Sequence, residues 1–165
     1  MFDVGEFIVY GKNGICKVVD ITHPDIAGSD NERLYYVLVP ERTRDTKLYC
    51  PADNDKIAIR RIVTAEEAKQ ILNESQDISP LVVENERNRD DSYKTVMKSS
   101  DLRQWIQIVK ALLIRKKQRE ESGKKITLTD ERYLKMAEEG LYSELALATG
   151  YDVEMIKEQI VGALI

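Results

Sequence analysis

The spacing of apolar residues changes once along this chain, near Val63. Before that point apolar residues gather in short runs rich in β-branched and aromatic types. After it they recur three and four residues apart. A strand repeats its faces every two residues and a helix every 3.6, so the two halves cannot belong to one uniform architecture. The pattern predicts an α+β chain with strands first and helices second.

The strand half reads in order. "EFIVY" (Glu6–Tyr10) is a β-rich run, and "GKNG" supplies turn residues after it. "ICKVVDI" (Ile15–Ile21) carries Lys17 and Asp20 as outward positions. "PDIAGSDNE" (Pro24–Glu32) is a loop by composition. "RLYYVLV" (Arg33–Val39) is the strongest strand and should stop at Pro40. "TKLYC" (Thr46–Cys50), closed by Pro51, and "KIAIRRI" (Lys56–Ile62) complete the set. Five short strands within about sixty residues predict a small, strongly bent sheet of SH3 or Tudor type.

The second half opens with "TAEEAKQIL", where Thr64 and Glu67 form a capping box. In "DLRQWIQIVKALLIRKKQREE", Leu102, Trp105, Ile106, Val109, Leu112 and Leu113 make one helical face, so Trp105 is expected in the core. Thr127 or Thr129 should cap the next helix, with Leu134, Ala137, Leu141, Leu145 and Ala148 inward and Gly150 ending it. Asp152 should cap a last helix burying Val153, Ile156, Ile160 and Leu164. Between the first and second of these lies "VENERNRDDSYK" (Val83–Lys94), almost without apolar residues. The expected organisation is residues 1–63 as a sheet domain, 64–83 as a capped helix and linker with a hinge near Gln76–Val83, and 84–165 as a helical domain.

Composition limits the function. Net charge is −4, which excludes indiscriminate nucleic-acid binding but leaves room for a local basic patch. No apolar run is long enough to span a membrane. "MFDVGEF" has neither a basic nor an apolar leader segment, so no export signal is expected, and Cys16 and Cys50 read as reduced, cytoplasmic thiols. His23 is the only histidine and neither cysteine has a partner at ligand spacing, so no metal site is expected. No phosphate loop or nucleophile with a neighbouring base is present, so the chain reads as a non-enzyme without cofactor or small-molecule substrate. The densest positive run, Lys110–Lys125, sets seven Lys and Arg against two Glu. It is either the solvated face of an amphipathic helix or a phosphate-tracking face. "ELALATGYDVEMIKEQI" has the rhythm of a helix-turn-helix. Glu154 and Glu158 on its second helix would repel phosphate, so a plain helix hairpin is the better reading.

"VGEFIVYGKNGICKVVDI", "YYVLV", "LYCPADN" and "IAIRRIV" resemble the N-terminal module of CarD-like bacterial transcription regulators. The same module is similar to the RNA-polymerase-interacting domain of the transcription-repair coupling factor. "SYK", "SSDLRQWIQIVKALLIRKK" and "TDERYLKMAEEGLYSELALA" resemble the helical C-terminal domain of that family. The resemblance implies a two-domain α+β fold, an N-terminal Tudor/SH3-like small β-barrel followed by a C-terminal all-α helical bundle. It implies a cytoplasmic adaptor, taken as a monomer, whose barrel binds the polymerase β subunit and whose helices approach promoter DNA at the upstream edge of the melted bubble.

In that family an exposed Trp at the start of the helical domain wedges into the minor groove. Counting back from Tyr93 and Lys94, the wedge position falls on Arg89, beside Asp90, Asp91 and Ser92. The usual "YPxHG" turn is "YGKNG", and a usually basic position is Glu131. An arginine can enter a narrow minor groove but cannot unstack bases as an indole does. Polymerase binding with altered or weaker promoter action is therefore expected. The alternative is a polymerase-binding interaction module that has lost DNA contact. The expected polymerase-binding residues are Lys47 and Tyr49 on a strand edge, with Arg42 and Arg44 as rim charges. The expected DNA-binding residues are Arg87, Arg89 and Lys94, backed by Arg115, Lys116 and Arg119.

Overall fold

A computed structural model of the chain describes residues 1–23 and 32–164. It divides into two compact units, Met1–Ile62 and Val63–Ile165. The predicted loop over Pro24–Glu32 lies, apart from Glu32, outside the described residues.

The first unit is an antiparallel sheet of five strands: β1 (Phe7–Tyr10), β2 (Ile15–Thr22), β3 (Tyr35–Pro40), β4 (Leu48–Pro51) and β5 (Ile59–Arg61). Their spatial order is β4-β3-β2-β1-β5, which leaves β4 and β5 as edges, so backbone pairing does not close the sheet into a barrel. Alternation places Ile8, Tyr10, Cys16, Val18, Tyr36, Leu38 and Cys50 on one buried face. Pairing slips between Val18 and Asp20, and this bulge lets Ile21 pack on the same core although it lies an odd number of residues from Val18. Pro40 and Pro51 are each the last residue of their strand rather than lying beyond it. A terminal strand position tolerates the missing N–H. The β1–β2 connection is a single 3-10 turn, Gly11–Asn13. Gly11 is required there, because its φ is +48° and a Cβ would meet Ile57 Cγ2 at 2.7 Å.

The second unit holds five helices: α1 (Ala65–Glu74), α2 (Arg89–Lys98), α3 (Leu102–Glu121), α4 (Leu128–Thr149) and α5 (Val153–Val161). Side chains of Thr64, Asp101, Thr127 and Asp152 cap α1, α3, α4 and α5, each accepting a backbone N–H of the first turn. Gly150, at φ +77°, ends α4 in the left-handed conformation. The core gathers Ile71 and Leu72, Ile106, Val109 and Leu112, Leu141 and Leu145, and Ile156 and Ile160. Each such side chain contributes about 1.5–3 kcal/mol when fully buried.

Several expectations change here. The segment 64–83 is not a free linker. Ala68, Ile71 and Leu72 of α1 are buried in the helical core, Ile78, Leu81 and Val83 pack against it, and the Leu81 N–H donates to Gln107 O at 3.0 Å. Within "VENERNRDDSYK", Glu86–Asn88 forms a 3-10 turn that leads into α2. Its helix buries only Tyr93 and Val96, too few apolar positions to give a period. Val153 faces out at 44% exposure, because the buried face of α5 runs through Ile156, Ile160 and Val161. Lys110 belongs to the core, not to the positive face. It is 6% exposed, and its ammonium donates to the carbonyls of Ser75 and Ile78 at the end of the first helical segment. Burial pushes its pKa down, against the opposing charge of Asp77.

Candidate functional site

Two surfaces carry the residues singled out from the sequence, one on each unit. On the sheet, β4 pairs only with β3 among the described residues. The Ala52 N–H donates to Leu34 O at 2.9 Å. By strand alternation the backbone groups of Leu48 and Cys50 also face β3, and those of Tyr49 and Pro51 face away. Pro51 has no N–H, so the open edge offers a donor at Tyr49 but none two residues later. The Tyr49 side chain is 43% exposed, and Lys47 and Arg42 are exposed in the approach to the strand. Arg44 pairs with Glu41 at 3.2 Å in the turn before it. The structure thus brings Arg42, Arg44, Lys47 and Tyr49 to one edge and its entry turn.

On the helical unit the organising group is Asp130, which the sequence did not single out. It stands in the first turn of α4, its N–H donating to the Thr127 cap oxygen at 3.2 Å, and its side chain is fully buried. Arg89, the first residue of α2, reaches it with Nη2 at 3.1 Å and Nε at 3.2 Å. Arg115 of α3 reaches its other oxygen with Nε at 2.9 Å. Both guanidiniums also meet Glu86 Oε2, Arg89 Nη1 at 2.8 Å and Arg115 Nη1 at 3.4 Å. Two arginines, one buried acid and one exposed acid therefore lock the start of α2 to α3 and α4.

Burial works against the charge of Arg89, but its hydrogen bond to Glu86 and the charge of Asp130 outweigh it and hold its pKa above the ordinary value. Beside the cluster Tyr93 meets Tyr133 in a tilted ring contact, 60° between planes, at a centroid distance of 5.4 Å. Burial raises the Tyr93 phenol, and the charge of Asp130 adds to the effect.

The other expected DNA-binding residues are dispersed. Lys94 pairs with Asp90 one turn away at 3.0 Å, which raises the ammonium pKa and lowers that of the carboxyl. Arg87 is exposed on the 3-10 turn. Burial pushes the Glu138 carboxyl up, while the charges of Lys157 and Lys116 oppose the rise. Arg119 Nε donates to Lys125 O at 2.8 Å, closing the α3–α4 loop. Arg115, Gln118, Arg119, Ser122 and Lys124 line a shallow depression of about 210 Å³. So Arg89 and Arg115 meet through Asp130, Arg115 and Arg119 share the depression, and no hydrogen bond or ion pair joins Arg87, Lys94 or Lys116 to either among the described residues.

Trp105 is partly buried on the core face, with its Nε1–H bound to Ser99 O at 2.9 Å. Among the described residues no group of three or more His, Cys, Asp or Glu is placed to hold a metal ion, and no helix is long and apolar enough to cross a membrane. Cys16 and Cys50 are fully buried free thiols; burial pushes Cys16 up to about 11 and raises Cys50 as well. A shielded, protonated thiol is a poor nucleophile.

Comparison with known families matches both units. Residues 2–63 match the CarD-like/TRCF RID domain, and residues 67–161 match the CarD C-terminal domain. A search of the curated proteins finds no match to the chain. A five-stranded sheet carrying the first module and a five-helix unit carrying the second, in that order, place the chain in the CarD-like family of transcription factors.

Proposed function

We propose that this protein is a cytoplasmic bacterial regulator, monomeric by itself, that binds the β subunit of RNA polymerase through its sheet unit and approaches promoter DNA at the upstream bubble edge through its helical unit. The observation that carries the reading is the open β4 edge, with Tyr49 exposed and Arg42, Arg44 and Lys47 beside it. An edge of this kind can add a strand of the partner by backbone pairing, with side chains setting specificity. The strand order and the bulge in β2 support a Tudor-like curvature of the sheet. The experiment is co-purification of polymerase with wild type and a Lys47→Glu, Tyr49→Ala variant. Loss of polymerase in the variant supports the edge, and undiminished recovery refutes it.

On the DNA side, Arg89 supplies charge where the family carries a wedge, so the expected effect is a modest lengthening of open-complex lifetime. One observation favours the second reading, a polymerase-binding module without DNA contact. The guanidiniums of Arg89 and Arg115 are already engaged by Asp130 and Glu86. Open-complex lifetime measured with and without the protein, at saturating polymerase binding, separates the two. An unchanged lifetime selects the interaction module.

A further inference from the structure

Arg89 and Arg115 are complete toward the protein interior and open toward solvent. Arg89 uses Nε and Nη2 on Asp130, and Arg115 uses Nε on the same carboxylate. That leaves both Nη1 atoms converging on one position, where a single oxygen of Glu86 stands 2.8 and 3.4 Å away. The two ends differ in how firmly they are held. Asp130 is fully buried, whereas the Glu86 side chain is 65% exposed and rides on a single 3-10 turn. Two guanidiniums converging on one oxygen form the donor arrangement that recognises phosphate. Against Asp130 the pair keeps one net positive charge, which Glu86 cancels.

We infer that Arg89 and Arg115 form a preorganised oxyanion site occupied from within the chain by Glu86, and that a backbone phosphate of DNA displaces Glu86 to bind there. The inference rests on the proposed DNA role and adds its regulation. Asp130 is a positioning residue that fixes both forks. The depression lined by Arg115, Gln118, Arg119, Ser122 and Lys124 continues the donors beside the site. With Glu86 in place, free duplex binds poorly. Tethering to polymerase raises the local phosphate concentration enough to exchange it.

The test measures binding of the full chain to a short labelled duplex by anisotropy at low salt, and to inorganic phosphate by ³¹P line broadening. Glu86→Gln should tighten both, by about three- to fivefold, the range an exposed ion pair supports. Glu84→Gln makes the same charge change at an exposed carboxylate outside the cluster and should give less than half that gain. In an Arg115→Lys background, which keeps the charge but loses the fork, the specific gain from Glu86→Gln should vanish. Trp105 emission confirms folding of each variant. Equal gains from Glu84→Gln and Glu86→Gln overturn the proposal, as does tighter phosphate binding without tighter duplex binding. If wild type lengthens open-complex lifetime while Glu86→Gln leaves both affinities unchanged, the masking fails and the DNA role stands. If lifetime is unaffected by wild type and Glu86→Gln alike, the DNA role itself falls.

Discussion

Replacing Asp130 by Ala should be among the most damaging single changes in the helical unit. The carboxylate is fully buried and accepts from Arg89 at 3.1 Å and from Arg115 at 2.9 Å. Removing one member of a buried ion pair costs about 3–5 kcal/mol, because the partner charge is left stranded. Here the stranded guanidiniums keep 18% and 26% side-chain exposure and still have Glu86, which lowers the figure. The acid also complements the N-terminal dipole of α4, worth about 0.3–1 kcal/mol. The net loss is about 2–4 kcal/mol, and for a unit of this size Tm should fall by roughly 10–25 °C. Trp105 is the only tryptophan and lies in the helical unit, so its fluorescence during thermal or urea unfolding reports that unit alone. A combined Asp130→Leu, Arg89→Met, Arg115→Met variant should recover most of the loss, since no charge is then left buried without a partner. A loss below about 1 kcal/mol for Asp130→Ala, or a triple variant no better than the single one, would show that the cluster is a surface ion pair of ordinary weight.

Gly140→Ala places a Cβ 2.5 Å from Trp105 Cζ3, and the indole is held by its bond to Ser99, so overpacking should outweigh the helical preference for Ala by about 1 kcal/mol. Unfolding and a shift in Trp105 emission check it, and a stabilised variant would refute it. In the sheet unit, the Glu6 carboxyl is held below its usual range by its hydrogen bond from Arg61, at 2.8 Å, and by the Asp3 N–H. A depressed carboxylate pKa stabilises the fold above its unfolded value and loses that contribution as pH falls through the folded value. Protection of the β1 and β5 amides, taken relative to their intrinsic exchange rates, should therefore fall as pH drops below the ordinary carboxylate range, and Glu6→Gln should flatten the dependence.

The fold was legible where burial is one-sided. In the sheet, alternation around Ile8, Tyr10, Cys16 and Val18 marks the inner face before any pairing is known. In α3 the three-and-four spacing marks the inner face, and in α4 and α5 the same spacing together with Thr127, Gly150 and Asp152 marks the ends and, Val153 excepted, the inner face. Legibility failed where burial is thin or polar. The face of α2 is two side chains, Tyr93 and Val96, so it gave no period. Lys110 counted as surface charge because composition cannot know that the carbonyls of Ser75 and Ile78 need a donor. The linker expected after α1 was invisible as packed structure because Ile78, Leu81 and Val83 are separated by Ser79, Pro80 and the exposed Val82 and follow no single period.

The candidate site shows the same limit more sharply. Counting back from "SYK" puts Arg89, as the resemblance implies, at the position of the family's wedge, and position is all that such a register carries. What a side chain does there depends on residues 26 and 41 positions further along, Arg115 and Asp130, and no local pattern links them. On that reading, exchanging an indole for a guanidinium is more than a weaker wedge. An indole needs no counter-charge, so a tryptophan at this position could project without a buried acid beneath it. A guanidinium next to Asp130 is drawn inward, and its remaining Nη1 is what solvent-side anions meet. The acids around it divide by burial and by partner. Asp130 holds the fork in place, Asp90 is spent on Lys94, and Glu86 alone stands where a phosphate would bind. On the proposed reading, whether this surface engages DNA is decided less by its net charge than by how easily one exposed carboxylate leaves.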